Sequence, residues 1–149
     1  MTTKPLQTFR TLQTLRNDIQ FGLQSEETLI KTLGAQFGND IQKTTDKYCP
    51  YDFYTGNYKI ELKTRRCNYS TYPTTIIPVN KTQQDGNLVF TFCFADKLCY
   101  IHYDKEKFSK YKIEDIEYVR AYGKTSRVPH IHIPIEDLVE IEFTHKKNI

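Results

Sequence analysis

Tyr51-Asp52-Phe53-Tyr54-Thr55-Gly56-Asn57-Tyr58-Lys59-Ile60-Glu61-Leu62-Lys63-Thr64-Arg65 is the stretch on which the reading of this chain turns. Two runs rich in aromatic and branched residues flank Gly56-Asn57, a pair suited to a two-residue hairpin loop. With that loop, Asp52 falls directly opposite Glu61. Residues opposed in an antiparallel pair have Cβ atoms roughly 4.5–5.5 Å apart, where like charges repel. A divalent cation is the natural neutraliser, because hard cations take carboxylate oxygens. Side chains alternate along a strand. Tyr58, Ile60 and Leu62 therefore predict an apolar face, and Lys59, Glu61, Lys63 and Arg65 a charged one. Acids that hold a metal beside cationic groups suit phosphodiester cleavage. The metal activates water, and the Lys63 ammonium holds the nucleophile or the phosphate.

Glu61-Leu62-Lys63 is the one acid-x-Lys triplet in the chain. Taken alone it fits an exposed Glu–Lys ladder, worth about 0.2–1 kcal/mol. Asp52 in hairpin register and a helix upstream shift the reading towards a site. Ser25 has the chemistry of an N-cap, and Glu26-Glu27 would occupy the first turn, where the helix dipole favours acids. The helix is expected to run to about Phe37 and stop at Gly38. Leu29, Ile30, Leu33 and Phe37 share one face of it, and Glu26 falls in the middle of that face. An acid in line with a core stripe either complements the dipole or reaches a site. Glu27 falls about 100° away, the angular step of one helical residue.

The rest of the chain is read more coarsely. A length of 149 residues is enough for one domain with its own core. The net charge of +3 permits nucleic-acid binding without requiring it. Cys49, Cys67, Cys93 and Cys99 form no C-x-x-C pair and read as reduced thiols or small buried residues of a cytosolic protein. His102, His130 and His132 read as ordinary strand residues, since their spacing gives a zinc site no support. No signal peptide and no apolar run near 18 residues is found, so secretion and membrane spanning are not expected. The expected location is intracellular, in the cytoplasm or nucleus. A first helix is expected from Phe9 to Asp18. Residues 66–80 read as a loop and 80–85 as a short helix. Leu88 to Ala95 reads as a buried strand, paired in a hairpin with Leu98 to Tyr103. One strand is expected over 116–122 and a late one over 130–135, followed by a short helix or turn. The element order predicts an α/β fold on the border of α+β, a mixed central sheet flanked by helices.

Glu26 on a helix, then Asp52, then Glu61-Leu62-Lys63 with Thr64-Arg65 following, resembles the PD-(D/E)xK nuclease superfamily. The stretch is similar to nuclease-like proteins of large DNA viruses. There, Ser-Glu-x-x and two hydrophobic residues precede the motif, as in Ser25 to Ile30. Tyr-Pro-Thr-Thr and then Asn-Lys follow it, as in Tyr72 to Thr75 and Asn80-Lys81. The resemblance covers roughly residues 25–104, leaving 105–149 as a C-terminal extension of a single nuclease-like domain. Tyr51 precedes Asp52 and Pro50 stands one step earlier, so the literal Pro-Asp is absent. The resemblance implies a restriction-endonuclease-like core and a DNA endonuclease dependent on Mg²⁺ or Mn²⁺. It implies Asp52, Glu61 and the Leu62 carbonyl as metal ligands, and Glu26 as an outer contact or a ligand of a second ion. Lys63 would polarise water, Lys81 would contact the scissile phosphate, and Lys59, Arg65 and Arg66 would hold phosphates. Tyr69 and Tyr72 are candidates for stacking on unpaired bases. The expected partner is DNA ahead of RNA. A homodimer is also expected, since symmetric pairs are the commonest assembly. The alternative is an inactive nucleic-acid-binding or scaffold protein with the same face.

Overall fold

The computed structural model describes residues 26–143, apart from the side chains of Glu26 and Ala121. The helix expected from Phe9 to Asp18 and the Ser25 cap lie outside the described residues. The first element is α1 (Glu26–Phe37), followed by β1 (Gln42–Lys43), β2 (Phe53–Tyr54) and β3 (Lys59–Thr64). After β4 (Thr74–Pro78) a 3-10 turn spans Val79–Thr82, and β5 (Leu88–Cys93) and β6 (Leu98–His102) follow. The last elements are α2 (Lys105–Phe108), β7 (Ile113–Val119), β8 (Thr125–Pro134) and β9 (Val139–Ile141). Six strands form one sheet in the order β1-β2-β3-β5-β6-β9, and three form a second in the order β4-β8-β7. Only β3 and β5 run parallel among the pairings described. The fold is α+β with a mixed sheet.

Each face of the larger sheet is covered. Leu29, Leu33 and Phe37 of α1 pack on Phe53, Ile60, Val89 and Leu98. Their spacing sets them on one helical stripe, and a buried leucine of this kind contributes about 1.5–3 kcal/mol. On the other face, Ile77, Ile131 and Ile133 of the second sheet meet Phe90, Phe92 and Ile101. β5 lies between these layers and is buried at every position, which is why it reads as an unbroken apolar run. α1 stops at Gly38, which has φ of +151°. A Cβ there would come within 2.8 Å of the Asp40 carboxylate and 3.2 Å of Thr55. Asp40 in turn accepts the Gly56 N–H at 2.8 Å, so the end of the helix is tied to the hairpin loop.

Four expectations need correction. The Tyr-, Thr- and Pro-rich segment holds β4, whose flanking Pro73 and Pro78 hide a strand that forms because β8 pairs with it. The strand expected over 116–122 is β7, three residues earlier, since it follows β8 in an antiparallel ladder from Ile113↔Ile131 to Val119↔Thr125. The late strand is longer, and β9 follows it on the edge of the larger sheet beside β6. Residues beyond 104 are therefore not an appendage, because they supply strands to both sheets.

Candidate active site on the charged face of β3

Alternation holds along β3. Ile60 faces α1, while Glu61, Lys63 and Arg65 face the side of the second sheet. Gly56-Asn57 is the centre of the hairpin loop, closed by a Thr55 N–H bond to the Tyr58 carbonyl at 2.9 Å. The Thr55 hydroxyl accepts the Asn57 and Tyr58 N–H groups at 3.1 and 3.0 Å, which fixes the turn.

Asp52 is not a simple cross-strand partner of Glu61. Its N–H donates to the Ile60 carbonyl at 2.9 Å, and Ile60 is already the register partner of Phe53. Two residues thus face one, the arrangement of a β-bulge. The bulge turns the Asp52 carboxylate towards β3, where Oδ2 accepts the Leu62 N–H at 2.8 Å. Thr44 clamps the Asp52 carbonyl from the far side, with its N–H at 2.9 Å and its hydroxyl at 3.1 Å. Even-numbered residues of β3 point their peptide groups away from β5. The Leu62 carbonyl is therefore directed to the same strand edge as Asp52.

Glu61 is 6% exposed. Burial raises its carboxyl above the usual range, and the nearby Asp52 charge pushes it further up. Lys63 Nζ at 3.2 Å and Lys81 Nζ at 3.5 Å, both on Glu61 Oε2, act in the opposite direction. Lys81 also donates to the Pro50 carbonyl at 3.2 Å. It reaches the cluster from the 3-10 turn after β4. Both lysines keep part of their length in solvent, so the cluster opens to the surface. The Thr91 hydroxyl of β5 donates to the Glu61 carbonyl at 2.8 Å and fixes that residue from behind.

The structure thus brings Asp52, Glu61, Leu62, Lys63 and Lys81 together. Glu26 begins α1, and its side chain lies outside the described residues. Lys59 turns towards the Asp85 carbonyl at 2.8 Å and lies 5.4 Å from the Tyr51 ring. Arg65 is held in the fold, donating from Nε to Thr75 Oγ1 at 2.9 Å and from Nη2 to the Ile76 carbonyl. Burial lowers its pKa. Arg66 is exposed. The Tyr69 ring is already engaged by Lys97 at 4.3 Å and edge-on by Phe94 at 5.7 Å, whereas Tyr72 is 61% exposed. The histidines stand apart. His102 sits among Phe37, Tyr58 and Tyr100, and His130 accepts from Tyr118 while donating to the Val128 carbonyl. His132 bridges Thr74 and Glu114, each at 2.8 Å. Among the described residues, no group of three or more His, Cys, Asp or Glu side chains could hold a metal. All four cysteines are free thiols.

Sequence reasoning missed Thr44, Thr91 and Asp40, the residues that hold the acids and the loop in place. Their contacts join segments distant in sequence, and no spacing rule marks them. The chain matches no family model, no curated protein and no solved structure.

Proposed function

We propose that the chain is a divalent-metal-dependent endonuclease of PD-(D/E)xK type that hydrolyses phosphodiester bonds of DNA, RNA being the less favoured substrate. The observation that carries this reading is the Glu61 cluster. A buried carboxyl lies beside a second acid, and two lysines stand on one of its oxygens. The donor set fits Mg²⁺ or Mn²⁺. Mg²⁺ sites commonly take one or two carboxylates and keep several waters for exchange with substrate oxygens. Asp52 and Glu61 would hold the ion, with the Leu62 carbonyl at the same edge and Glu26 as a candidate outer contact. When bound, the ion would lower the pKa of a water and offset charge on the phosphoryl oxygens.

The chain's own groups have separable roles. Asp52 is held by the Leu62 N–H on one carboxylate oxygen and by Thr44 on its backbone carbonyl, which fixes the side chain beside Glu61 at little entropic cost on metal binding. Lys63 holds an ammonium charge at the mouth of the cluster, where it can orient water or stabilise a developing oxyanion. Lys81 supplies a second positive charge for the phosphate. Cutting both strands of a duplex needs two such sites or two visits, which favours a symmetric pair of chains. The test is cleavage of duplex, branched and single-stranded substrates with Mg²⁺ and with Mn²⁺. Activity that requires either ion and fails in Lys63→Ala supports the reading.

One observation favours a second reading. Asp52 and Glu61 are matched by Lys63 and Lys81, so the cluster's charges cancel within the chain itself. On that reading the protein is an inactive nucleic-acid-binding or scaffold protein. DNA binding without cleavage of any substrate, unchanged by Lys63→Ala, would establish it.

A further inference from the structure

Two residues beyond Lys63, just past β3, Arg65 lines a pocket of about 440 Å³ beside β4. Its walls are mostly apolar, and Arg65, Tyr72, Ile76 and Phe94 are among the residues that line it. Arg65 is the unusual member. Two of the five N–H groups of a guanidinium are used by Thr75 and Ile76. The group also lies 5.5 Å from the centre of the Phe92 ring. No carboxylate lies within ion-pair distance of it among the described residues. A cation partly withdrawn from water and left without an anion favours the arrival of one. Tyr72 is the matching apolar element. Its ring is exposed and makes no ring contact among the described residues, unlike Tyr69, which is covered by Lys97.

We propose that this pocket receives one unpaired nucleotide of the strand whose adjacent phosphate lies at Lys63. The base would lie against Tyr72 and Ile76, and the phosphate on the spare N–H groups of Arg65. The proposal rests on reading the Glu61 cluster as a phosphodiester site, because Lys63 of that cluster stands two residues, about 7 Å, before Arg65 along the chain. The volume lies within the roughly 300–1,000 Å³ of small-ligand sites and admits one nucleotide rather than a base-paired helix. A paired base would first have to be extruded from its stack, so single strands, flaps and frayed ends are the favoured substrates.

The test is metal-free binding measured by fluorescence anisotropy, with EDTA present. The probes are a labelled oligodeoxyuridylate, an oligouridylate of equal length and a blunt duplex. Tighter binding of either single strand than of duplex is expected, and the better of the two identifies the preferred sugar. Tyr72→Ala lies at an exposed position and should weaken single-strand binding roughly 5- to 150-fold, the range of one lost stacking contact. Duplex binding should not change, and Tyr72→Phe should restore the single-strand affinity. Equal affinity for duplex and single strands, or a Tyr72→Ala that weakens both alike, overturns the proposal. Cleavage whose strand preference is the same in wild type and Tyr72→Ala removes the pocket's role and leaves the nuclease reading intact. Tyr72-dependent single-strand binding by a protein that cleaves nothing removes the nuclease reading and leaves the pocket.

Discussion

Glu61 carries opposing demands. Burial and Asp52 both raise its carboxyl pKa, and Lys63 and Lys81 oppose them. An acid raised on folding contributes stability that is fully present below its ordinary value of 4.5 and is lost as pH rises through the raised value. Thermal melts of the wild type should therefore decline across that window. Glu61→Gln should flatten the decline and melt higher at neutral pH. Mg²⁺ should restore wild-type stability at neutral pH by binding the folded state, by about 2.7 kcal/mol at a hundredfold excess over Kd. It should not stabilise Asp52→Asn or Glu61→Gln. A Mg²⁺ effect of equal size in all three would count against the metal site. Lys63→Ala should keep that Mg²⁺ effect and still lose about 10²–10³ in turnover, the scale of one lost oxyanion donor. Calcium should support binding but not cleavage, because its larger, looser shell positions water poorly. At this scale the gathering of Asp52, Glu61 and Lys63 was legible from residue type and strand alternation. The bulge that aims Asp52 at Leu62 was not, since it depends on Thr44 from a separate strand region.

Elements differ in how openly their sequences announce them. The end of α1 was readable, because its stripe is regular and Gly38 follows it at a backbone angle other residues resist. Gly38→Ala should cost about 1–3 kcal/mol for that backbone conformation, and more if Asp40 is forced off the Gly56 N–H. Circular dichroism melts would measure the loss, and a melt unchanged from wild type would contradict the crowding described. β4 was unreadable because prolines bound it and because its partners, β8 and the Arg65 side chain, come from distant segments. Thr75→Val keeps shape and burial but leaves the Arg65 Nε–H without its acceptor. A loss of about 1–3 kcal/mol is expected, seen as a lower denaturant midpoint with an unchanged slope. The apolar run of β5 was plain because both of its faces are buried.

At the level of the molecule, the class of fold followed from the element order, but the division into two sheets did not. Strand order depends on which distant segments pair, and a single sequence gives no sign of that. No helix among the described residues is long and apolar enough to cross a membrane. Light scattering should find two chains per particle in the presence of duplex DNA. A single chain under every condition would mean that each strand is cut on a separate visit. Glu114, Asp115 and Glu117 line β7 at the edge of the smaller sheet, where charge discourages strand-to-strand pairing between copies. The pairing of β4 with β8 reaches further. Asp52, Glu61, Lys63 and Lys81 are all synthesised before residue 82, yet the turn that carries Lys81 follows a strand whose only described partner runs from Thr125 to Pro134. Contacts so distant in sequence close late, after local hairpins such as β5–β6. On the ribosome, Lys81 would remain apart from Asp52, Glu61 and Lys63, which share the local β2–β3 hairpin, until β8 emerges from the exit tunnel. In a refolding experiment Lys81 should join them in the slowest phase, so a half-made chain carries every reactive group of the site without its full set of charges in place.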